Sequence, residues 1–197
     1  MISYSKKSVH RNKVRIIAGK WRSRQLSFSG DVETLRPTPD RVRETVFNWL
    51  QNKIAGARCL DLFAGSGALA FEACSREAAS VTATDNSREV VAMIRENCQL
   101  LDCQAMQVIH ANSIDWLKNN AGIEPFDIVF LDPPYSLDLL IDCCRLLESA
   151  RMVKPGSIIY LESNSSLESI ELPSTWKWLR TKKAGQVYFG VCERVLL

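Results

Sequence analysis

The sequence predicts an α/β fold in which a mostly parallel β-sheet is covered by helices on both faces. From Arg58 onward, short apolar runs alternate with segments that carry apolar residues at helical spacing. Strands that are apolar along their whole length are typical of parallel sheets buried on both faces. With 197 residues, 46% of them hydrophobic, the chain can bury one core and carry a small extension.

Two short extended runs precede this α/β region. Residues 14–18 and 24–28 are separated by a segment that contains Gly19, which predicts a β-hairpin. The exposed face of this hairpin would be basic. We expect residues 1–34 to form a basic arm and hairpin, and residues 35–197 to form the main domain.

The first helix of the main domain follows a proline-containing segment. Pro37 and Pro39 disfavour a helix until Thr38 or Asp40 can cap one. An apolar stripe at helical spacing then predicts a helix that packs on the main domain. The stripe consists of Val42, Val46, Phe47, Trp49 and Leu50.

The alternating region itself predicts five strands and four helices, followed by a closing hairpin. The strands are expected at residues 59–62, 81–84, 107–110, 128–131 and 157–161, and the helices at residues 69–75, 88–101, 114–118 and 137–147. Two further extended runs lie on either side of a turn that contains Gly185. They predict an antiparallel hairpin over residues 176–181 and 186–192.

Positive charge is concentrated near the N-terminus, although the whole chain carries a formal charge of only +3. No acidic residue precedes Asp31, and clustered cations gain affinity for nucleic acid by displacing condensed counterions. A solvated tail is an equally good interpretation of the charge alone. Trp21 favours an RNA surface, because a ring among cations can stack on an unpaired base. The basic residues before Asp31 are Lys6, Lys7, Arg11, Lys13, Arg15, Lys20, Arg22 and Arg24.

The cysteines predict neither a zinc site nor a disulfide framework. They form no CxxC pair and have no histidine at metal spacing, so most are expected to be small buried residues. The N-terminus lacks an apolar signal core, and no stretch approaches the length of a membrane span. We therefore expect a cytoplasmic protein without a metal or a membrane partner. The seven cysteines are Cys59, Cys74, Cys98, Cys103, Cys143, Cys144 and Cys192.

A glycine-containing loop joins the first main-domain strand to its helix, where open α/β sheets bind ligands. The loop departs from the dinucleotide fingerprint, because Ala70 occupies the position of the third glycine. Asp61 just before the turn would repel a pyrophosphate, but it suits the ammonium of an amino-acid-bearing ligand, directly or through water. A merely structural turn is the alternative. The candidate ligand residues of this loop are Asp61, Phe63, Gly65 and Gly67.

The next two strand ends carry further candidates for the same ligand. Asp85 ends the second strand, where a carboxylate can accept hydrogen bonds from both ribose hydroxyls. Asn86 would then lie against an adenine, Ser87 would cap the next helix, and Asn112 with Ser113 would offer an amide to the adenine edge. In the alternative interpretation Asp85 is only a cap and Asn112 only a turn residue.

The strongest chemical signal is the run Asp132, Pro133, Pro134 and Tyr135 after an apolar strand. Consecutive prolines donate no ladder hydrogen bonds and fix a rigid turn. An exocyclic amine is a poor nucleophile because its lone pair is delocalised. Its two N–H groups could donate to the Asp132 carboxylate and the Pro133 carbonyl, which favours a pyramidal nitrogen, while Tyr135 stacks on the planar substrate.

This turn therefore predicts transfer of a methyl group to an exocyclic amine, with S-adenosylmethionine as the donor bound by the upstream loop. Positioning would supply most of the rate, so no strong general base is needed. His10 and His110 are poor candidates for catalysis, since one lies in the arm and the other on a strand. A structural Pro-Pro turn with a packing tyrosine is the alternative.

These motifs resemble the RsmD-type bacterial 16S ribosomal RNA guanine-N2 methyltransferases from about Arg15 to Arg194. The glycine loop and the Pro-Pro turn are shared by many amino-methyltransferases, whereas the block from Arg36 to Leu50 is specific to this family. Three positions vary within the family: the loop tolerates other residues at Leu62, the ribose acid, here Asp85, is often Glu, and Tyr135 is sometimes Phe. The resemblance is carried by residues 15–22, 35–38, 40–50, 61–68, 132–135 and 184–187.

The resemblance implies a Rossmann-like class I fold with about seven strands, the last of them antiparallel, and a small N-terminal hairpin for RNA. It implies methylation of one guanine in 16S ribosomal RNA, preferably within the assembled or nearly assembled small subunit. We expect the enzyme to be a monomer. Thr38 belongs to a segment that looks like the family's lid near the methionine end of the cofactor. The expected RNA-contacting residues are Arg15, Lys20, Trp21, Arg22, Arg24, Arg36 and Arg41.

Three other functions compete with this one. A DNA adenine-N6 methyltransferase or a protein-glutamine methyltransferase would use the same turn, because it suits any planar amine. A small DNA enzyme would normally need an added base-recognition domain, for which the chain has no room. A non-catalytic RNA-binding module is the third alternative, but binding alone does not require the turn at Asp132.

Overall fold

The computed structural model describes residues 11–29, 38–134 and 137–196. Within these residues, two N-terminal strands precede a larger α/β unit. The elements in chain order are β1 (Arg11–Arg15), β2 (Gln25–Ser29), α1 (Asp40–Trp49), β3 (Arg58–Asp61), α2 (Ala68–Ser75), β4 (Ser80–Asp85), α3 (Arg88–Leu100), β5 (Met106–His110), α4 (Ser113–Asn119), β6 (Phe126–Leu131), α5 (Leu137–Ser149), β7 (Val153–Ser163), a 3₁₀ turn (Leu167–Ser169), β8 (Trp176–Ala184) and β9 (Val187–Arg194).

The main sheet has seven strands in the order β5-β4-β3-β6-β7-β9-β8. Strands β3 to β7 pair in parallel, whereas β9 is antiparallel to both of its neighbours, β7 and β8. The predicted sheet of about seven strands with an antiparallel last strand is therefore confirmed. The order reverses between β3 and β6, and such a reversal opens a crevice at the carboxyl ends of the strands.

Helices cover both faces of the sheet, as the apolar strands predict. On one face the core includes Phe71 of α2, Ile94 of α3 and Phe130 of β6; on the other it includes Leu131 of β6 and Leu147 of α5. Successive residues of β6 thus enter opposite cores, because side chains alternate along a strand. Because both faces of β6 are buried, its sequence is an almost continuous apolar run.

The N-terminal hairpin shares the core of the α1–α3 face. Its inward residues Val14, Ile16, Leu26 and Phe28 are buried in the same cluster as α2 and α3. Asn97 of α3 also bonds the hairpin backbone, since its side chain accepts from the Ser27 amide and donates to the Ser27 carbonyl. The hairpin is therefore packed against the main unit along its length.

The predicted bounds of the first strand were wrong. β1 ends at Arg15, so residues 16–18 are not strand. The backbone amides of Ile17 and Ala18 donate instead to the buried carboxylate of Glu72, over 2.7 and 3.0 Å. The Glu72 side chain of α2 thus takes the place of a neighbouring strand at these two amides. The apolar residues of this run do not indicate such a contact.

The predicted cap of α1 was also wrong. The N-cap residue is Pro39, and no side chain caps the helix. Thr38 donates its hydroxyl to Asp132, while Asp40 forms ion pairs with Arg15 and Arg43, so both predicted caps are engaged elsewhere. The apolar stripe is confirmed: four of its members are buried, and the half-buried Trp49 stacks on Phe189 with ring centroids 5.6 Å apart.

Six of the seven cysteines are buried and Cys98 is half-buried, all as free thiols. They are therefore small core residues, as expected. Among the helices that the structure describes, none combines the length and apolar character that crossing a membrane needs. Within the same residues, no cluster of three or more His, Cys, Asp or Glu side chains is arranged to hold a metal ion.

Candidate active site

A cleft of about 960 Å³ lies at the carboxyl ends of the parallel strands, at the reversal between β3 and β6. Segments that are far apart in the sequence meet here, from the residues before α1 to the start of β9. The walls include most of the residues that were predicted to bind the cofactor or the acceptor amine. These are Thr38, Phe63, Gly65, Asp85, Asn86, Asn112, Ser113, Asp132, Pro133 and Pro134.

Asp85 holds the glycine loop against the end of β4. One carboxylate oxygen accepts from the Gly65 amide at 3.0 Å, and the other accepts from the Ser87 amide at 2.8 Å. A carboxylate has about four acceptor positions, so Asp85 keeps capacity for a ligand in the cleft. The predicted cap of α3 is confirmed, since the Ser87 hydroxyl accepts from the amide of Val90.

The two loop glycines have different surroundings. Both have positive φ, +51° at Gly65 and +76° at Gly67, which favours glycine. Gly65 lines the cleft, but Gly67 does not. A Cβ at Gly67 would lie 2.9 Å from the ring of Phe71, so this glycine permits close packing at the start of α2. The structure therefore brings only the first glycine to the cleft.

Asp61 ends β3 below the loop and does not line the cleft. Its side chain is fully buried, and neither carboxylate oxygen forms a hydrogen bond with any described residue. Burial, followed by the charge of Asp132, raises the pKa of Asp61 to about 7. The amides of Ala70 and Phe63 oppose this rise, although neither reaches hydrogen-bond geometry. A buried carboxyl without partners is costly, and a nearby cation would relieve the cost.

Asn112 and Ser113 follow β5 at the cleft wall. The side-chain oxygen of Asn112 accepts from the amides of Ile114 and Asp115 and so caps α4, while its amide NH₂ bonds no described residue. The Ser113 hydroxyl donates to the carbonyl of Leu62 at 2.8 Å, which ties α4 to the loop after β3. Both residues thus have a structural role at the place where the ligand role was predicted.

Asp132 follows β6 and is half-buried in the cleft. The Thr38 hydroxyl donates to its Oδ2 atom over 3.2 Å. Burial raises the pKa of Asp132 to about 6, and the bond from Thr38 opposes that rise. Pro133 is buried and Pro134 exposed. The predicted stacking residue Tyr135 lies outside the described residues.

Sequence reasoning missed the side of the cleft formed by β7 and β9. Here Glu162, Ser163 and Asn164 follow the apolar part of β7, and Gln186 precedes β9. A polar residue directly after an apolar strand is the same signal that indicated Asp85, so it could have indicated Glu162. Gln186 already belonged to a segment of the family resemblance.

Arg43 was assigned no role, yet it connects the hairpin to the cleft. Its side chain is 0% exposed. Its Nε atom donates to the carbonyl of Thr38 over 3.2 Å, and its Nη2 atom donates to Asp40 and to the carbonyl of Arg15 over 2.6 and 2.8 Å. Nη1 lies 3.9 Å from the equally buried carboxylate of Glu72. Arg43 thus holds both Thr38, which contacts Asp132, and the backbone of the hairpin at Arg15.

Most of the predicted RNA-contacting cations are exposed on the hairpin and at the start of α1. Arg15, Arg22, Arg24 and Arg41 are exposed, although Arg15 also pairs with Asp40. Arg36 lies outside the described residues. The loop between the strands is held on α2, where the carbonyl and hydroxyl of Ser75 accept from the amides of Lys20 and Trp21.

Trp21 is half-buried and packs partly against the core. The exposed Lys20 places its ammonium 4.2 Å from the centroid of the Trp21 ring, a cation–π contact. The ring is therefore fixed in place beside a cation.

Comparisons with known proteins agree with this geometry. The family model described as conserved hypothetical protein 95 matches residues 14–193. The chain is 42% identical to the ribosomal RNA small subunit methyltransferase D of Haemophilus influenzae, over 93% of the chain and 95% of that protein. It is 41% identical to the protein of the same name from Escherichia coli K12, over 92% and 90%. The solved structure of the Escherichia coli protein yhhF superposes with a TM-score of 0.87 at 39% identity, over 94% of this chain and all of that one.

Proposed function

The chain belongs to the family of conserved hypothetical protein 95, and from this premise we propose that it methylates the exocyclic N2 of one guanine in 16S ribosomal RNA. S-adenosylmethionine would be the methyl donor. The observation that carries the proposal is the position of Asp132. Its carboxylate stands in the cleft directly before Pro133, at the reversal of strand order where α/β folds bind their ligands.

The charges around the cleft fit a cationic cofactor. S-adenosylmethionine carries a positive sulfonium and an ammonium group. Asp61 is buried without a hydrogen-bond partner among the described residues, and the charges of Asp132 and Asp85 raise its pKa further. Because Asp61 does not line the cleft, its contact with the ammonium would run through water. The other cofactor contacts would come from the cleft wall, with Asp85 at the ribose, Asn86 and Asn112 at the adenine, and Thr38 near the methionine end.

When bound, the cofactor supplies an electrophilic methyl group on its sulfonium. The protein's contribution is to hold the guanine amine. The Asp132 carboxylate and the Pro133 carbonyl would accept its two N–H groups, which favours a pyramidal nitrogen with an available lone pair. As the N–C bond forms, the S–C bond to the methyl group would break and leave a neutral thioether, and the nitrogen, now acidic, would release its proton to solvent. Fixed orientation of the two reacting groups accounts for much of the rate.

The exposed cations of the hairpin support RNA as the substrate. Arg15, Arg22 and Arg24 are exposed, whereas the apolar side chains of the same hairpin are buried in the core. Cations on a rigid surface suit the phosphate backbone of structured RNA. The names of the Haemophilus influenzae and Escherichia coli relatives point to the small ribosomal subunit, and we extend that substrate to this chain.

The test uses small ribosomal subunits purified from a strain that lacks the endogenous activity. These subunits are incubated with the protein and S-adenosylmethionine labelled in its methyl group. We expect N2-methylguanosine to appear in 16S ribosomal RNA when nucleosides are analysed by mass spectrometry. Parallel incubations with DNA and with protein substrates test the two competing enzymes, and label confined to either of them would refute the proposal.

A further inference from the structure

Glu162 stands in the cleft beside Asp132, and neither cofactor binding nor the proposed methyl transfer uses it. Strands β6 and β7 pair in parallel with Leu131 opposite Leu161, so Asp132 and Glu162 follow at neighbouring strand ends. Both side chains line the cleft. The two carboxyls are close enough for the charge of Asp132 to raise the pKa of Glu162. Glu162 therefore belongs to the side of the cleft where the acceptor amine would be held.

A buried tyrosine fixes one oxygen of this carboxyl. The Tyr160 side chain is fully buried, and its hydroxyl donates to Oε2 of Glu162 over 2.5 Å. Burial and neighbouring acids raise the pKa of Tyr160 well above its usual value, so the phenol keeps its proton and remains the donor. The other oxygen, Oε1, bonds no residue within 11–29, 38–134 and 137–196. Oε1 is thus the acceptor that the half-buried side chain offers to the cleft.

We propose that Glu162 accepts the N1–H of the target guanine and selects guanine against purines whose N1 carries a lone pair. The inference rests on the proposed function, which assigns the two N2 hydrogens to Asp132 and the Pro133 carbonyl. The next donor on the same edge of guanine is N1–H. Adenine and 2-aminopurine have no hydrogen on N1, so a carboxylate there would face a lone pair and repel the base.

The protonation of Glu162 is compatible with this role. Burial, and then the charge of Asp132, raises the pKa of Glu162 to about 8, so the empty cleft favours the protonated form near neutral pH. A donor that points at a carboxylate favours its charged form. N1–H of guanine is such a donor, whereas N1 of 2-aminopurine would accept a hydrogen bond from the protonated acid. The preference for guanine therefore depends on the charged form of Glu162 and should strengthen as the pH rises through about 8.

The decisive variant is Glu162→Gln, compared on two substrates at a pH above about 8, where the original side chain is a carboxylate. Small subunits are reconstituted with ribosomal RNA that carries guanosine or 2-aminopurine at the methylated position, since 2-aminopurine keeps the 2-amino group but lacks N1–H. Tyr160 would bond the amide oxygen of Gln and direct its NH₂ into the cleft. That group opposes N1–H of guanine and suits the lone pair of 2-aminopurine.

We expect the ratio of kcat/KM for guanosine over 2-aminopurine to fall at least about tenfold in Glu162→Gln, because a site built for one donor rejects the analogue that lacks it. Fluorescence of 2-aminopurine gives a second measurement, as the variant should bind that subunit more tightly than the original enzyme. Glu193→Gln is the matched control, since it makes the same change on β9 at an ion pair with Lys53 and should leave the ratio unchanged.

Two further variants guard against loss of folding. Glu162→Ala removes both oxygens and should lower the ratio without favouring 2-aminopurine. Adding Tyr160→Phe to Glu162→Gln frees the amide to turn its oxygen toward the base, so the double variant should recover part of the preference for guanosine. An unchanged ratio in both Glu162 variants, with guanosine still methylated, would overturn this inference alone. Failure of the original enzyme to methylate guanosine subunits would overturn the proposed function and this inference with it.

Discussion

On the side of the cleft formed by β3, β4 and β5, polar side chains are bonded to the backbone, whereas the carboxyls beside β6 and β7 have few partners. Asp85 bonds two amides, Asn112 caps α4, and the Ser113 hydroxyl donates to Leu62. Asp132 accepts from Thr38 and Glu162 from Tyr160. The pKa values of Asp132 and Glu162 are raised to about 6 and about 8.

Under the proposed function, this difference would allow one cleft to serve two ligands. The first side is rigid before any ligand arrives, which suits a cofactor that is the same in every turnover. The second side carries carboxyls whose charged forms are disfavoured in the free protein and favoured by donors from a substrate. Recognition there is completed by the substrate itself, and variants on the two sides should fail in different ways.

The largest expected effect belongs to Asp132→Asn. The change keeps the shape but replaces one acceptor oxygen by a donor, which opposes the amine. We expect single-turnover methylation to fall by about 10²- to 10³-fold, while the affinity for S-adenosylmethionine measured by calorimetry stays nearly unchanged. Asp102→Asn, at an exposed turn, is the matched control. A parallel loss of cofactor affinity in Asp132→Asn would place this residue on the cofactor side instead.

Asp85→Ala should give the opposite pattern. It removes two charge-assisted hydrogen bonds that hold the Gly65 loop and the Ser87 amide. We expect the Kd for S-adenosylmethionine to rise by about ten- to a hundredfold, with turnover largely recovered at saturating cofactor. Ser87→Ala removes only the cap of α3, so it should lower stability by about 1 kcal/mol and leave this Kd almost unchanged. Equal effects in both variants would show that helix stability matters more than the loop.

The pH dependence of methylation tests the substrate side directly. Asp132 accepts only as a carboxylate, and its pKa is raised to about 6, so the rate should fall about tenfold for each pH unit below that value. Asp61 and Glu162 also titrate near this cleft, so the pH profile alone does not identify Asp132. Variants of Thr38 do, because the Thr38 hydroxyl donates to Asp132. Thr38→Val removes the donor that lowers the pKa of Asp132 and should move the acidic limb to higher pH. Thr38→Ser keeps the donor and should leave the acidic limb where it is. If the acidic limb stays at the same pH in both variants, Asp132 is not the group that causes it.

The last expected effect is on stability and not on methylation. The pKa of Asp61 is about 7 in the folded protein and about 4 in an unfolded chain, so the folded state binds the extra proton between these values. Stability should therefore fall as pH rises through this window, by a few kcal/mol at most. Asp61→Asn removes the titration, so the variant should gain stability relative to the original protein between pH 5 and pH 8. Urea unfolding at both pH values measures this gain, and an equal difference at both would contradict it.

Local pattern predicted most of the fold because each strand and helix of the main sheet has its own apolar signature. The strand ends that line the cleft were predictable for the same reason, since Asp85, Asn112 and Asp132 each lie at the end of a predicted strand or just after it. What pattern could not show are contacts between distant segments. The amides of residues 17 and 18 bond Glu72, more than fifty residues away, and this contact changed the bounds of β1.

Charged residues inside the fold were the hardest to predict. A sequence pattern treats Arg43 as one more polar residue on α1. It is buried because Arg15, Thr38 and Asp40 supply hydrogen-bond acceptors and the Glu72 carboxylate supplies an opposite charge. Gly67 was taken as a ligand residue because it shares a motif with Gly65, but its φ and the nearby Phe71 ring account for it by packing. Neither the burial of Arg43 nor the packing role of Gly67 can be read from the local spacing of residues in the sequence.

The buried position of Arg43 limits how this protein can be re-engineered. One guanidinium bonds the backbone carbonyl of Arg15 and that of Thr38, so the hairpin and the segment that contacts Asp132 share a single anchor. A hairpin grafted from another enzyme would have to reproduce that carbonyl and the amides that bond Glu72. Exchange of substrate specificity by swapping the first thirty residues should therefore require α1 and α2 to be transplanted with them.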